Sequence, residues 1–153
     1  MAFQLIISAF SNGARIPTLH TCDGAGLSPA VEWSGEPPTT QSFALVVDDP
    51  DAPGGVWNHW LLYDIPAAVH TLPQGARPGQ IGRSGANDFG RPGYNGPCPP
   101  RGHGSHRYYF RLFALDVPAL TIPGGAKRAD LDSALRGHVV AEATSMGRYE
   151  RAK

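Results

Sequence analysis

HRYYFRLFALDV, residues 106–117, is the stretch that decides the fold. His106, Tyr108, Phe110, Leu112 and Ala114 recur at every second position, with Arg107, Tyr109, Arg111 and Phe113 between them. A period of two predicts a long strand with one apolar face. Upstream, WNHWLLYDI at 57–65 repeats the pattern, with Trp57, His59, Leu61, Tyr63 and Ile65 on one face. Phe43-Ala44-Leu45-Val46-Val47 is a continuous apolar run, as expected of a strand buried on both faces, and it stops at DDPDAPGG, 48–55. Residues 3–9 alternate as a further strand, and 30–33 make a short one. From about 66 to 105 there is almost no periodicity, which reads as a long loop. Beyond Pro123-Gly124-Gly125, residues 129–136 place Leu131 and Leu135 at helical spacing, 138–143 read as a second short helix, and 146–151 as an edge strand. The expectation is a mostly antiparallel β domain with one or two helices near its C-terminus.

Composition agrees with that picture. The chain has 153 residues, enough for one domain spanning 1–153 and no second core. Nineteen glycines and fifteen prolines argue against a helical bundle. Thirteen basic and thirteen acidic residues cancel, so no global field draws the protein to nucleic acid or to an anionic membrane. The charge is segregated all the same: residues 15–64 hold seven acids against Arg15, and 77–111 hold six arginines against Asp88. If those halves meet in space, acids and cations converge. The N-terminal MAFQLIISAF lacks a basic start, and its apolar stretch is too short for a signal peptide or a span, so no stable membrane insertion is expected. Cys22 and Cys98 have no metal or redox spacing and are expected as free thiols, with a cytoplasmic address as the default.

The common catalytic signatures are missing: no G-x-S-x-G, no phosphate-binding G-x-x-x-x-G-K-[ST], no H-E-x-x-H, and no G-x-G-x-x-G after a strand. What remains is a set of His, Asp and Tyr side chains. His106 and Tyr108 lie two apart on a strand, so they share a face about 7 Å apart. His59 flanks them if its strand is a neighbour, and Asp49 or Asp51, at a strand end, caps the group. Two imidazoles, a phenol and a carboxylate suit a phosphate with a cationic tail: His and Tyr donate to the oxygens and Asp meets an amine. Against this stand plainer readings, in which Asp-Pro is a turn, a strand His is a satisfied core group and Tyr108 is packing. Arg107 is read as snorkelling on a solvated face or bracing an acid near the site, and His20 and His103 as solvated loop residues. A metal site built from His59, His106 and Asp49 lacks any local ligand spacing. Ser105 and Cys98 are poor partners for His106 as nucleophiles.

Several stretches in order resemble the phosphatidylethanolamine-binding protein family, and more closely its bacterial and archaeal Raf kinase inhibitor-like branch. They are Ser28-Pro29, Glu32-Trp33-Ser34-Gly35, DDPDAPGG at 48–55, WNHW at 57–60, GPCPP at 96–100, HRYYFRLFALD at 106–116, and the GHVVAEA and GRYER tail. The resemblance implies an antiparallel β-sandwich-like domain of two sheets with a small helical flank, and an anion pocket. Matched motif by motif, its residues are Asp49, Asp51, His59, Pro99, Pro100, His106 and Tyr108. The function implied is non-enzymatic binding of a small anion or a phosphorylated, phosphoethanolamine-like head group, with no cofactor and a possible regulatory role. Two alternatives stand beside it: an inhibitor that contacts a serine protease or kinase through the 66–105 loop, and a hydrolase or isomerase using His106 or His59 with Asp49.

Overall fold

The computed structural model describes residues 2–153, and the decisive stretch forms strand β7, His106–Leu115. Its predecessors are β1 (Gln4–Ile6), β2 (Val31–Ser34), β3 (Ser42–Asp49), β4 (Trp57–Pro66), β5 (Thr71–Leu72) and β6 (Arg83–Ser84). Helix α1 (Arg128–Leu135) and strand β8 (Val139–Tyr149) close the chain. One sheet has the order β1-β2-β5 and the other β6-β4-β3-β7-β8, and every pairing between these strands is antiparallel.

The expected burial of β3 on both faces holds along its whole length. Phe43, Leu45 and Val47 pack toward the small sheet, where Leu5, Val31, Trp33 and Leu72 meet them. Ala44 and Val46 pack with Leu61, Tyr63 and Leu115 under α1, which contributes Leu131 and Leu135. Those two leucines, one turn apart, are the stripe that docks the helix. The 66–105 stretch is less irregular than expected, since it contributes β5 and β6, one to each sheet.

One expectation fails at the C-terminal end. Residues 138–143 do not form a second helix; from Val139 they belong to β8, a strand at the sheet edge that continues to Tyr149 and takes in most of the expected 146–151 edge strand. Gly137, at φ +80°, breaks the chain after α1, and the exposed edge of β7 then pairs with the segment from Val139 to Tyr149. That long ladder outweighs the helix preference of Ala-Glu-Ala, and β-branched Val139 and Val140 suit it. Gly147 is required where β8 crosses the core, because a Cβ there would lie 2.5 Å from Ile16 and 2.7 Å from Phe10.

The two cysteines are also not free thiols: Cys22 and Cys98 form a disulfide, with Cα atoms 5.4 Å apart. The loop carrying Cys22 lies against the 94–98 segment, joined by the Cys22 N–H to Pro97 carbonyl bond (3.1 Å) and the Tyr94 hydroxyl to His20 carbonyl bond (2.6 Å). The cysteine argument for a cytoplasmic address therefore falls away. Among the described residues no helix is long and apolar enough to cross a membrane.

The segregated charges do meet. Asp51 pairs with Arg107, Asp64 with Arg83, and the buried Asp48 with both Arg111 and Arg128. Arg107 thus braces an acid. His20, expected in solvent, is instead buried with Nδ1 on the Leu27 carbonyl at 2.8 Å.

Candidate functional site

Asp49 ends β3 and starts a turn. Its Oδ1 accepts the Asp51 N–H at 2.8 Å, the local bond an Asp makes two residues ahead of itself. Its Oδ2 accepts the Nδ1–H of His106 at 2.7 Å, and both side chains are buried. A carboxylate at this distance assigns the tautomer, because only a protonated Nδ1 can donate to it. Asp51 points elsewhere. Its carboxylate takes two hydrogen bonds from the Arg107 guanidinium along its edge (2.8 and 2.9 Å) and one from the Arg107 backbone N–H (2.9 Å). Those bonds hold its pKa at about 2, so it stays charged and fastens the turn to β7.

His59 is placed by an irregularity in β4. Val47 pairs with Trp60 while the next residue, Asp48, pairs with Asn58, so His59 is the extra residue of a β-bulge. A second register shift lies between Phe43 and Leu45, close to Asp64 at φ +57°. These two shifts break the single face expected for Trp57, His59, Leu61, Tyr63 and Ile65. Leu61 and Tyr63 go under α1, Ile65 joins the core between the sheets, and His59 turns toward Tyr108, their rings 5.3 Å apart and edge to face. Nδ1–H of His59 donates to the Asn95 carbonyl at 2.7 Å, and the Asn95 N–H donates back to the His59 carbonyl at 3.1 Å.

Burial holds the pKa of His59 below the ordinary histidine value. Its neutral ring carries the proton on Nδ1, which leaves the Nε2 lone pair as an acceptor. A depressed histidine binds its second proton in the unfolded chain before it does so in the fold. Its contribution to stability is therefore complete above about pH 6.5 and is lost as pH falls from there toward the folded value. Urea midpoints should drop below that pH in the wild type and drop less in His59→Gln. Parallel curves for the two proteins would show that His59 is not the group responsible.

His106 and Tyr108 share a face as read from the sequence, with near-parallel rings 6.4 Å apart. Burial, and then the neighbouring Asp49 carboxylate, push the Tyr108 phenol well above its usual value, so it remains a donor at any physiological pH. Opposite these groups stand Cys98, Pro99 and Pro100, and the mouth is walled by Pro53, Trp57 and Phe89. Together they enclose a cavity of about 270 Å³. Of the seven residues nominated from the sequence, Asp49, His59, Pro99, Pro100, His106 and Tyr108 line it, and Asp51 lies outside the lining.

Outside the nominated set, Trp57, Phe89 and His103 also shape the site. Trp57 could have been found, being two residues before His59 and hence on its side of the strand. Phe89 had no periodic signal. It reaches the mouth because the buried Asn87 side chain accepts the Phe89 and Arg91 N–H groups (3.0 and 3.1 Å) and donates to Gly93 and Asn95 oxygens. Its ring meets Trp57 edge to face at 5.6 Å and His59 at 5.2 Å. His103 is exposed, as expected of a loop residue, but its Nδ1 is 2.6 Å from Nε2 of His106. The 66–105 stretch is thus one wall of the cavity, tied down at Asn95 and Cys98.

An antiparallel sandwich that holds a small acidic and imidazole-lined cavity at the ends of its central strands is the architecture of a binding protein for small ligands. The chain belongs to the phosphatidylethanolamine-binding protein family, whose profile matches residues 6–150. A UPF0098 protein of Aquifex aeolicus is 48% identical over 152 residues, covering 97% of this chain and 88% of that protein. The crystal structure of a phosphatidylethanolamine-binding protein homolog, CT736 of Chlamydia trachomatis, superposes with a TM-score of 0.90 at 41% identity, covering 98% of each chain. Escherichia coli YbcL, described as a member of the mammalian family, also gives 0.90, at 34% identity over 98% of this chain and 99% of its own. These relatives place the chain in the bacterial and archaeal branch, as a ligand-binding protein of this type.

Proposed function

We propose that the cavity binds the singly charged form of a small phosphate-type anion, such as inorganic phosphate or a phosphoethanolamine head group, without turning it over. The observation that carries this is the convergence of His59, His106, Tyr108 and Asp49 on one cavity whose other walls are apolar. No lysine or arginine is among the lining residues, so no permanent cation is available to a doubly charged anion. Tyr108 supplies a donor, and the Nε2 of neutral His59 supplies an acceptor. A phosphate oxygen that still carries its proton satisfies both. The Asp49 carboxylate borders the same space and meets an ammonium group on the ligand more readily than a second anion.

A binding role is also supported by the lining chemistry. It includes no serine, threonine or lysine, and the sulfur of Cys98 is held in the disulfide. Of the two imidazoles a hydrolase could use, His106 has both nitrogens hydrogen-bonded, to Asp49 and to His103, which leaves the Nε2 of His59 as the one base for water.

Binding that brings a proton with the anion tightens as pH falls, by about tenfold per pH unit at the limiting slope for each proton taken up. Calorimetric titration with inorganic phosphate and with phosphoethanolamine, from about pH 5.5 to about pH 8, should show that slope in the range where histidine and phosphate titrate. His59→Ala should remove most of the affinity. Affinity that is independent of pH, or unchanged in His59→Ala, would discard the assignment. Steady release of phosphate from a phosphomonoester, lost in His59→Ala, would favour the hydrolase.

A further inference from the structure

The bond between His103 and His106 falls outside the pocket residues that the motifs nominate, and its chemistry is constrained. His106 gives its Nδ1–H to Asp49, so in its neutral form Nε2 has a lone pair and His103 Nδ1–H must be the donor at 2.6 Å. The ring that faces the cavity therefore has no donor to offer an anion until Nε2 takes up a proton.

We infer that His103 is a positioning residue of the site, an exposed imidazole that occupies Nε2 of His106 and releases it when an anion takes His106 as a donor. This rests on the anion-site reading above. The contact tolerates one added proton and not two. With one, His106 becomes a cation beside Asp49 and neutral His103 accepts from Nε2–H. With two, both nitrogens are donors facing one another at hydrogen-bond distance, and the rings must part. His106 then presents Nε2–H to the cavity, and its positive charge supplies what the lining lacks.

His103 sits in a turn between two glycines. Gly102 and Gly104 flank it at φ +74° and +92°, a region open to glycine and costly for other residues. The His103 N–H donates to the Pro100 carbonyl at 3.1 Å, so this turn is continuous with the proline wall of the cavity. Charged and titratable groups face this pair from several elements. From β3, Asp49 bonds His106, and Asp51 in the following turn is close enough for a charged His106 to stabilise it. From β7 and β8, Tyr108 stacks on His106 and Tyr149 pairs with it in the ladder. From the tail, the Arg151 carbonyl accepts the Gly102 N–H, Lys153 packs by Gly102, and Arg101 reaches the Ala152 carbonyl at 3.5 Å.

His103→Ala tests this with inorganic phosphate as the probe and with the histidine ring nitrogens followed by 15N NMR. Losing one competing hydrogen bond should tighten phosphate binding near neutral pH by about fivefold. The pH dependence should become shallower in the variant, since one of its two proton-linked steps is gone. Before phosphate is added, the His106 Nε2 resonance should move in the variant as its hydrogen bond is lost, while Nδ1 stays on Asp49. Weaker phosphate binding in His103→Ala would make His103 a direct ligand group and overturn the inference, as would an Nε2 resonance that does not move. If the wild type binds no phosphate at any pH, the anion-site reading fails on its own. The NMR comparison still decides whether His103 holds His106.

Discussion

Asp49→Ala is expected to eliminate phosphate binding and to lower the unfolding free energy by about 2–5 kcal/mol, since two hydrogen-bond donors lose a charged acceptor. The stability loss follows from what Asp49 holds. Its carboxylate is the acceptor for His106 Nδ1–H at 2.7 Å and for the Asp51 N–H at 2.8 Å, and alanine leaves both donors without it. The imidazole is buried, so the lost bond is costly to replace. Binding is lost for a separate reason: without Asp49, His106 is free to take the other tautomer and to reorient. Asp49→Asn separates the two effects. It keeps an oxygen for the turn, so it should recover part of the stability, and it removes the charge that orients and supports His106, so it should still bind phosphate poorly. Urea unfolding and calorimetry on the two variants read both quantities. Near-wild-type binding by Asp49→Asn would mean that the charge of Asp49 has no part in the site.

Phe43→Ala should cost about 3–5 kcal/mol as well, through packing alone. Phe43 is fully buried between the sheets, with Trp33 edge to face at 5.4 Å, Phe3 stacked at 6.1 Å and His70 at 6.1 Å. The gap left by its ring lies where the rigid frames of two sheets meet, so neither sheet can collapse into it without moving the other. This residue is at the opposite end of β3 from Asp49. Its variant should therefore lose stability while keeping phosphate affinity at temperatures where it is folded. Loss of binding in the folded variant would show that the two ends of the strand are coupled. A loss of less than about 1 kcal/mol would mean that the sheets repack freely.

The contrast between these residues shows which parts of the molecule were legible in the sequence. Phe43 could be assigned to a doubly buried strand because five apolar residues in succession have that meaning without any neighbour being known. His106 and Tyr108 could be placed together because the strand period fixes the relation of residues two apart. The helix of Leu131 and Leu135 was found for the same reason. His59 was nominated from its strand and motif and placed on the wrong set of neighbours. Its bulge depends on how β4 pairs with β3, and a register shift leaves no trace in the local period. Residues 138–143 failed in a related way: the segment carries a weak helical signal, and the unpaired edge of β7 decided its conformation.

The chain by itself determined the strands with a clean period, the α-helix of Leu131 and Leu135, the segregation of charge, and through its motifs the family and just over half of the cavity lining. These are local properties, written in residues that are neighbours along the chain or two to four apart. Only the tertiary structure decided that Cys22 and Cys98 join, that Asp51 is taken up by Arg107 instead of facing the cavity, that Phe89 reaches the mouth, and that His103 holds His106. Each of these depends on two segments being brought together by the packing of the sheets, or on a turn whose course is set by its own hydrogen bonds. Neither leaves a periodic signal in the sequence.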